Sequence, residues 1–135
     1  MAIALADAQR MIQEGLEEAE RMGVLVGIAV VDAGGYLIAS ARMDKARLLS
    51  PDVAIGKANA AALWKESSAE LGKRWAPGAP VPAAAFARTG GRFVAHQGAL
   101  PVWEGDDVVG AVGVSGARSD EDERIAQVAI AALKA

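Results

Sequence analysis

Residues 102–117 read VWEGDDVVGAVGVSGA, and the fold turns on how this stretch is understood. Val108, Val109, Ala111, Val112 and Val114 form an apolar run bounded by EGDD before it and SGARSD after it, the pattern of a strand covered on both faces. It is therefore expected to be a central strand. Glycine weakens a strand interior unless something must come close, so Gly110 and Gly113 predict near approach of a helix, a second backbone or a ligand. Glu104-Gly-Asp-Asp is a tight turn that makes this strand and the one before it a hairpin. Beyond the strand, Ser119 is positioned to cap a helix, and Asp120, Glu121, Asp122 and Glu123 fall in its first turn, where carboxylates complement the helix dipole. Ile125, Val128, Ala129, Ala132 and Leu133 then share one helical face.

Working outward, Leu5, Ala8, Ile12, Leu16, Ala19 and Met22 step by three and four, predicting an amphipathic helix over about 4–22 that Gly23 closes. The β-branched run 24–31 and the segment 36–43 predict a first hairpin, with Asp32-Ala-Gly-Gly as its turn and the Asp32 side chain holding that turn. Ser50-Pro51 predicts a helix start, with serine as cap and proline in the first turn, and the helix runs to about Lys65. Its inward stripe is Val53, Lys57, Ala60 and Trp64. Lys57 is the anomaly, because a charged side chain is seldom buried unless paired or reaching a cavity; the alternative is a lysine that snorkels at the domain edge. Residues 67–75 predict a second short helix, 76–82 (APGAPVP) a break in regular structure, and 83–88 one further turn. Arg92-Phe-Val-Ala reads as a short strand, and the segment from His96 to Glu104 leads into another.

The sum is an α/β chain: a three-layer α/β/α sandwich, with a five-stranded antiparallel sheet carrying helices on both faces, in one domain spanning 1–135. The 135 residues are enough for one sizeable core, and the 53% hydrophobic fraction is mostly alanine and valine with few aromatics, which suits helices packed closely on a sheet. A net charge of −3 gives no basic surface for nucleic acid. With no cysteine and a single histidine, thiol catalysis, disulfides and multi-histidine or thiolate metal sites are excluded, and no metal site is expected. The N-terminal stretch has no basic start followed by a long apolar block, so neither a signal peptide nor a membrane span is expected there, and the chain is read as cytoplasmic. Phosphate-loop, dinucleotide GxGxxG and GxSxG signatures are missing. Gly110-Ala-Val-Gly113-Val-Ser-Gly116 has the spacing of a glycine fingerprint, but it lies inside a strand rather than between strand and helix.

Three segments carry a resemblance: AVVDAGGYLIASARMD, SPDVAIGKANAAALW and GALPVWEGDDVVGAVGVSGARSDEDERIA. In that order, over nearly the whole chain, they resemble the GlcG/HbpS family of haem-binding proteins, which includes the C-terminal domain of PduO. The resemblance implies a profilin-like fold, assembly into homo-oligomers from dimer to octamer, and haem as a cofactor in several members. Lys57 matches the lysine of the family's KAxTA segment, with Ala60 where threonine is common. Gly98, Ala99, Leu100 and Pro101 stand where many members have GGxP.

A ligand pocket is accordingly expected between the helix bearing Lys57 and the sheet end formed by Gly98, Ala99, Pro101, Gly113, Ser115 and Gly116. Haem needs an apolar slot, an axial donor and a cation for its propionates. His96 is a candidate donor, and Lys57, Arg42, Arg47 and Arg92 are candidate cations. Met43 is expected in the core, and Trp64, Trp75 and Trp103 along a slot or an oligomer interface. The first reading is a small-molecule-binding protein taking haem or another planar or carboxylate ligand. The alternative is a cofactor-independent enzyme acting on a small oxo- or hydroxy-acid, in which Lys57 anchors a carboxylate and His96 or Asp44 moves a proton. A third reading is an assembly with a structural or regulatory role.

Overall fold

The Asp32 carboxylate shapes the first turn, accepting hydrogen bonds from the N–H groups of Gly34 (3.0 Å) and Tyr36 (2.9 Å) and so closing a hairpin between Gly27–Asp32 (β1) and Leu37–Arg42 (β2). This is the aspartate-held turn expected from the sequence. In the computed structural model, which describes residues 2–134 (for Lys134 the backbone only), β1 is preceded by the helix Leu5–Met22 (α1). Gly23 closes that helix at φ 71°, its N–H bonding to Glu20 O while Val24 N–H bonds to Ala19 O, the double bond of a Schellman cap. Ala99–Glu104 (β3) and Asp107–Ser115 (β4) form the second hairpin. β4 also pairs antiparallel with β1, in register from Gly27 opposite Ser115 to Asp32 opposite Gly110. The sheet order is β2-β1-β4-β3, so the valine run is central as expected.

Among the described residues the sheet has four strands, not five. Residues 92–95 do not join it. The Val94 N–H donates instead to Gly56 O at 3.1 Å, and Phe93 is buried beside Trp64 and Trp75. The segment is held by the helix Ser50–Trp64 (α2), which takes the Val94 N–H, and by a satellite aromatic cluster around Phe93. Ser68–Arg74 (α3) follows expectation, capped by the Ser67 hydroxyl accepting from Glu70 N–H at 3.2 Å. The proline-rich stretch departs from it: a helix runs over Pro80–Arg88 (α4) rather than one turn from residue 83. Pro80 and Pro82 fall in its first turn, where the missing N–H groups have no intrahelical partner to lose. Ser50 also differs from its expected part. Its hydroxyl donates to Arg47 O at 2.7 Å instead of capping α2, whose N-cap is Leu49.

The last helix, Ser119–Lys134 (α5), packs with α1. Ile28, Val30, Val112 and Val114 meet Met11, Ile12, Ile125, Ala126 and Ala129 of these two helices on one face of the sheet. Val31, Ala99 and Ala111 meet Ala58, Ala61 and Ala62 of α2 on the other. Helix backbone comes so close on this second face that a Cβ at Gly113 would lie 2.9 Å from Ala58 N and nearer still to Ala54 O. The glycine in the central strand is thus explained by a helix pressed onto it. No helix among the described residues is long and apolar enough to cross a membrane.

Candidate functional site

Small residues at 54, 58, 61 and 62 draw α2 down onto the sheet, and the same close approach carries Lys57 into the interior. Its side chain is 3% exposed. An ammonium so placed is tolerable only if paired and hydrogen-bonded. The Lys57 Nζ donates to Val114 O at 3.0 Å and to Asp122 Oδ2 at 3.2 Å, and the Asp122 side chain is equally buried. Asp122 Oδ1 accepts from Ala117 N–H at 3.0 Å. The pair thereby ties the middle of α2 to the end of β4 and to the first turn of α5. Burial pushes the Asp122 carboxyl above the ordinary aspartate value, against the opposing pull of the Lys57 charge and the Ala117 N–H.

Gly98 makes room for the ammonium. Its φ of 139° suits glycine, and a Cβ there would sit 2.6 Å from Lys57 Nζ, while its carbonyl accepts from Val114 N–H at 3.0 Å. The loop before β3 is therefore shaped around the lysine.

Lys57 and Asp122 also line an open cavity of about 270 Å³, together with Arg47, His96, Ser115 and Gly116. Leu49 and Val53 give it an apolar side. The N-terminal turns of α2 and α5 both reach this hollow, contributing Ser50 from one and Ser119 from the other. Helix N-termini carry partial positive charge, and with the exposed Arg47 guanidinium they make the cavity suited to an anionic group.

Of the residues singled out from sequence, the cavity brings together Lys57, Arg47, His96, Ser115 and Gly116. It does not gather the others. Arg42 and Asp44 line a separate groove of about 580 Å³ with Leu16, Val24, Leu25 and Met43, so the pairing of Asp44 with Lys57 in one active site is not what the fold builds. Met43 is half-buried against the core, and its sulfur accepts from Val26 N–H at 3.3 Å. Ala99 is buried, its N–H donating to Ser68 Oγ at 2.8 Å; Pro101 pairs with Ala111 within the sheet; Gly113 is covered by α2. These three belong to the sheet and do not line the cavity. Arg92 lies over the Tyr36 ring instead. Trp64 and Trp75 pack edge to face at 5.5 Å in the satellite cluster, whereas Trp103 is exposed.

The residue missed from sequence is Asp122. Its place among the acidic residues of the first turn suggests no more than a partner for the helix dipole, but the spacing 122, 125, 126, 129 places it on the face that carries buried Ile125, Ala126 and Ala129. The solvated first-turn role falls to its neighbours: Glu121 accepts from Arg118 N–H at 3.1 Å, and Asp120 pairs with the Arg118 guanidinium at 3.2 Å.

Comparison with known proteins finds relatives over almost the whole chain. The family model described as haem degrading protein HbpS-like matches residues 3–131. An uncharacterized 15.0 kDa protein in the dhaT-dhaS intergenic region of Citrobacter freundii is 34% identical over 128 residues, covering 95% of this chain and 89% of that protein. Corrinoid adenosyltransferase PduO of Salmonella typhimurium is 31% identical over 133 residues, which are 98% of this chain but 39% of PduO. The crystal structure of a PduOC:heme complex superposes with a TM-score of 0.85 at 31% identity, covering 98% of this chain and 95% of that one.

Proposed function

Starting from a chain that belongs to the HbpS-like family, we propose that it is a small-molecule-binding protein whose site is the cavity walled by Lys57 and Asp122, and that its ligand carries a carboxylate. The observation that carries this reading is a buried ion pair opening onto a hollow that also holds a guanidinium, an imidazole and two helix N-termini. Two of the three ammonium N–H groups of Lys57 go to Val114 O and Asp122 Oδ2, which leaves the third for a ligand oxygen. Arg47 supplies the second cation and, being exposed, is free to adapt to its ligand.

Haem is the ligand bound in the PduOC complex, and the residues here fit one edge of it. His96 would supply a nitrogen donor to iron, Arg47 would pair with a propionate, and Leu49 with Val53 would give the apolar contact. When bound, haem would supply redox chemistry at its iron; the protein would hold and orient it. A volume of about 270 Å³ lies just below the usual range of ligand pockets, roughly 300–1,000 Å³, so a tetrapyrrole would be gripped at that edge and covered further by a second copy of the chain. The same reading takes residues 1–135 as one profilin-like α/β/α domain that assembles with itself, exposed Trp103, Val81 and Phe86 offering apolar surface for that contact.

Two titrations test it. Haem added to the protein should give a Soret shift that His96→Ala removes and Arg47→Ala weakens, and a panel of short carboxylates should raise the melting temperature of the wild type more than that of Arg47→Ala. No shift with haem would remove haem as ligand, and no response to either class would overturn the binding reading.

A further inference from the structure

We infer that the cavity is also a site of proton transfer, in which Asp122 takes a proton from the carbon next to the carbonyl of a short 2-oxo carboxylic acid while Lys57 holds the carbonyl oxygen. This rests on the proposed binding site and goes beyond it. A buried ion pair contributes little net stability compared with well-packed apolar side chains of the same volume, so the fold by itself gives no reason to keep one here. The pair also lies at the edge of the interior, for both side chains, though only 3% exposed, border the open cavity.

The groups present divide into three tasks. Arg47 and the two helix N-termini suit a carboxylate. The remaining N–H of the Lys57 ammonium suits a neighbouring carbonyl oxygen, where negative charge develops as the carbon loses its proton. Among the described residues Asp122 accepts one bond at each oxygen, from Ala117 N–H and from Lys57, so each oxygen keeps a lone-pair site for the incoming proton. A carboxylate lifted by burial above its ordinary value is the stronger base for that step. Carboxylate, carbonyl and acidic C–H on adjacent carbons describe a 2-oxo acid, and about 270 Å³ limits it to a short one.

The step balances within these groups. The C–H bond breaks, its proton bonds to an Asp122 oxygen, and its electron pair becomes the carbon–carbon double bond of an enolate whose oxygen faces the ammonium. Return of the proton to carbon restores the keto acid, and exchange with solvent in between replaces hydrogen by deuterium. No oxidant, reductant or second substrate is needed.

Pyruvate in D₂O is the probe, with loss of its methyl proton signal followed by NMR and binding followed in parallel by saturation transfer. The wild type should exchange the methyl protons faster than buffer alone. Asp122→Asn should lower the protein-dependent rate by about a hundredfold or more while pyruvate still binds, and Arg47→Ala should raise the concentration giving half-maximal exchange. The double variant Lys57→Met/Asp122→Leu, built to keep the interior packed if Asp122→Asn fails to fold, should show no protein-dependent exchange. Bound pyruvate exchanging at the buffer rate, or protein-dependent exchange surviving in either Asp122 variant, overturns the inference and leaves the binding site standing. Failure of pyruvate and every other short carboxylate to bind removes this inference, and only if haem fails to bind as well does the proposed binding site fall with it.

Discussion

The two faces of the sheet are packed by different means. Under α1 and α5, branched side chains fill the space: Ile28, Val30, Val112 and Val114 against Met11 and Ile125. Under α2 there is almost no side chain to spare, and Ala111 and Gly113 meet Ala54 and Ala58 nearly backbone to backbone. The first face gains stability from buried apolar area, each fully buried valine or isoleucine contributing about 1.5–3 kcal/mol. Close approach is what the second face achieves, and it brings an ammonium to within hydrogen-bonding distance of β4 and α5. One face is built to hold the molecule together and the other to position charge.

From that division the largest single loss is expected on splitting the charged pair. Lys57→Met should cost about 3–5 kcal/mol in urea unfolding because it strands a buried carboxylate, and adding Asp122→Leu should restore most of it. A double variant as unstable as the single one would show that packing, and not the unpaired charge, was lost. Gly113→Ala comes next, at about 1–3 kcal/mol or more, since the new methyl meets Ala58 N and the Ala54 carbonyl. On the other face, Ile28→Val should cost only about 0.5–1.5 kcal/mol, because side chains there can relax into the space. Equal losses from these two changes would erase the distinction between the faces.

The smallest effect is one of pH. The folded-state value of Asp122 lies above its unfolded one, so the folded chain binds that proton more tightly. The stability this contributes is fully present below the unfolded value and is lost as the pH rises through the folded value. The difference in unfolding free energy between wild type and Asp122→Asn should therefore shift in favour of the wild type as the pH falls from 7 towards 4. A difference that shrinks on acidification would mean that pairing with Lys57 outweighs burial.

Where a rule depends on local spacing, the sequence was enough. α1 with its Gly23 cap, the Asp32 turn, the central position of β4 and the second hairpin all follow from patterns within a few residues, and so does the anomaly of a lysine on the buried stripe of α2. Misreadings arose where a tertiary contact overrode a local one. Residues 92–95 look like a strand, but α2 and the Trp64–Trp75 cluster take them instead. Asp122 reads as a solvated dipole partner because its acidic neighbours are, and only the face shared with Ile125 distinguishes it. Asp44, just after β2, and Lys57, in the middle of α2, are near each other in sequence, yet they line different hollows.

The difference between those hollows offers the most direct test of the site. An NMR titration of the ¹⁵N-labelled protein with pyruvate should shift the amides of Ser115, Gly116, Ala117 and Ser119, at the Lys57–Asp122 cavity, and leave those of Leu16, Glu20 and Asp44 in place. Shifts confined to Leu16, Glu20 and Asp44, or no shifts at saturating ligand, would contradict the assignment of that cavity as the binding site.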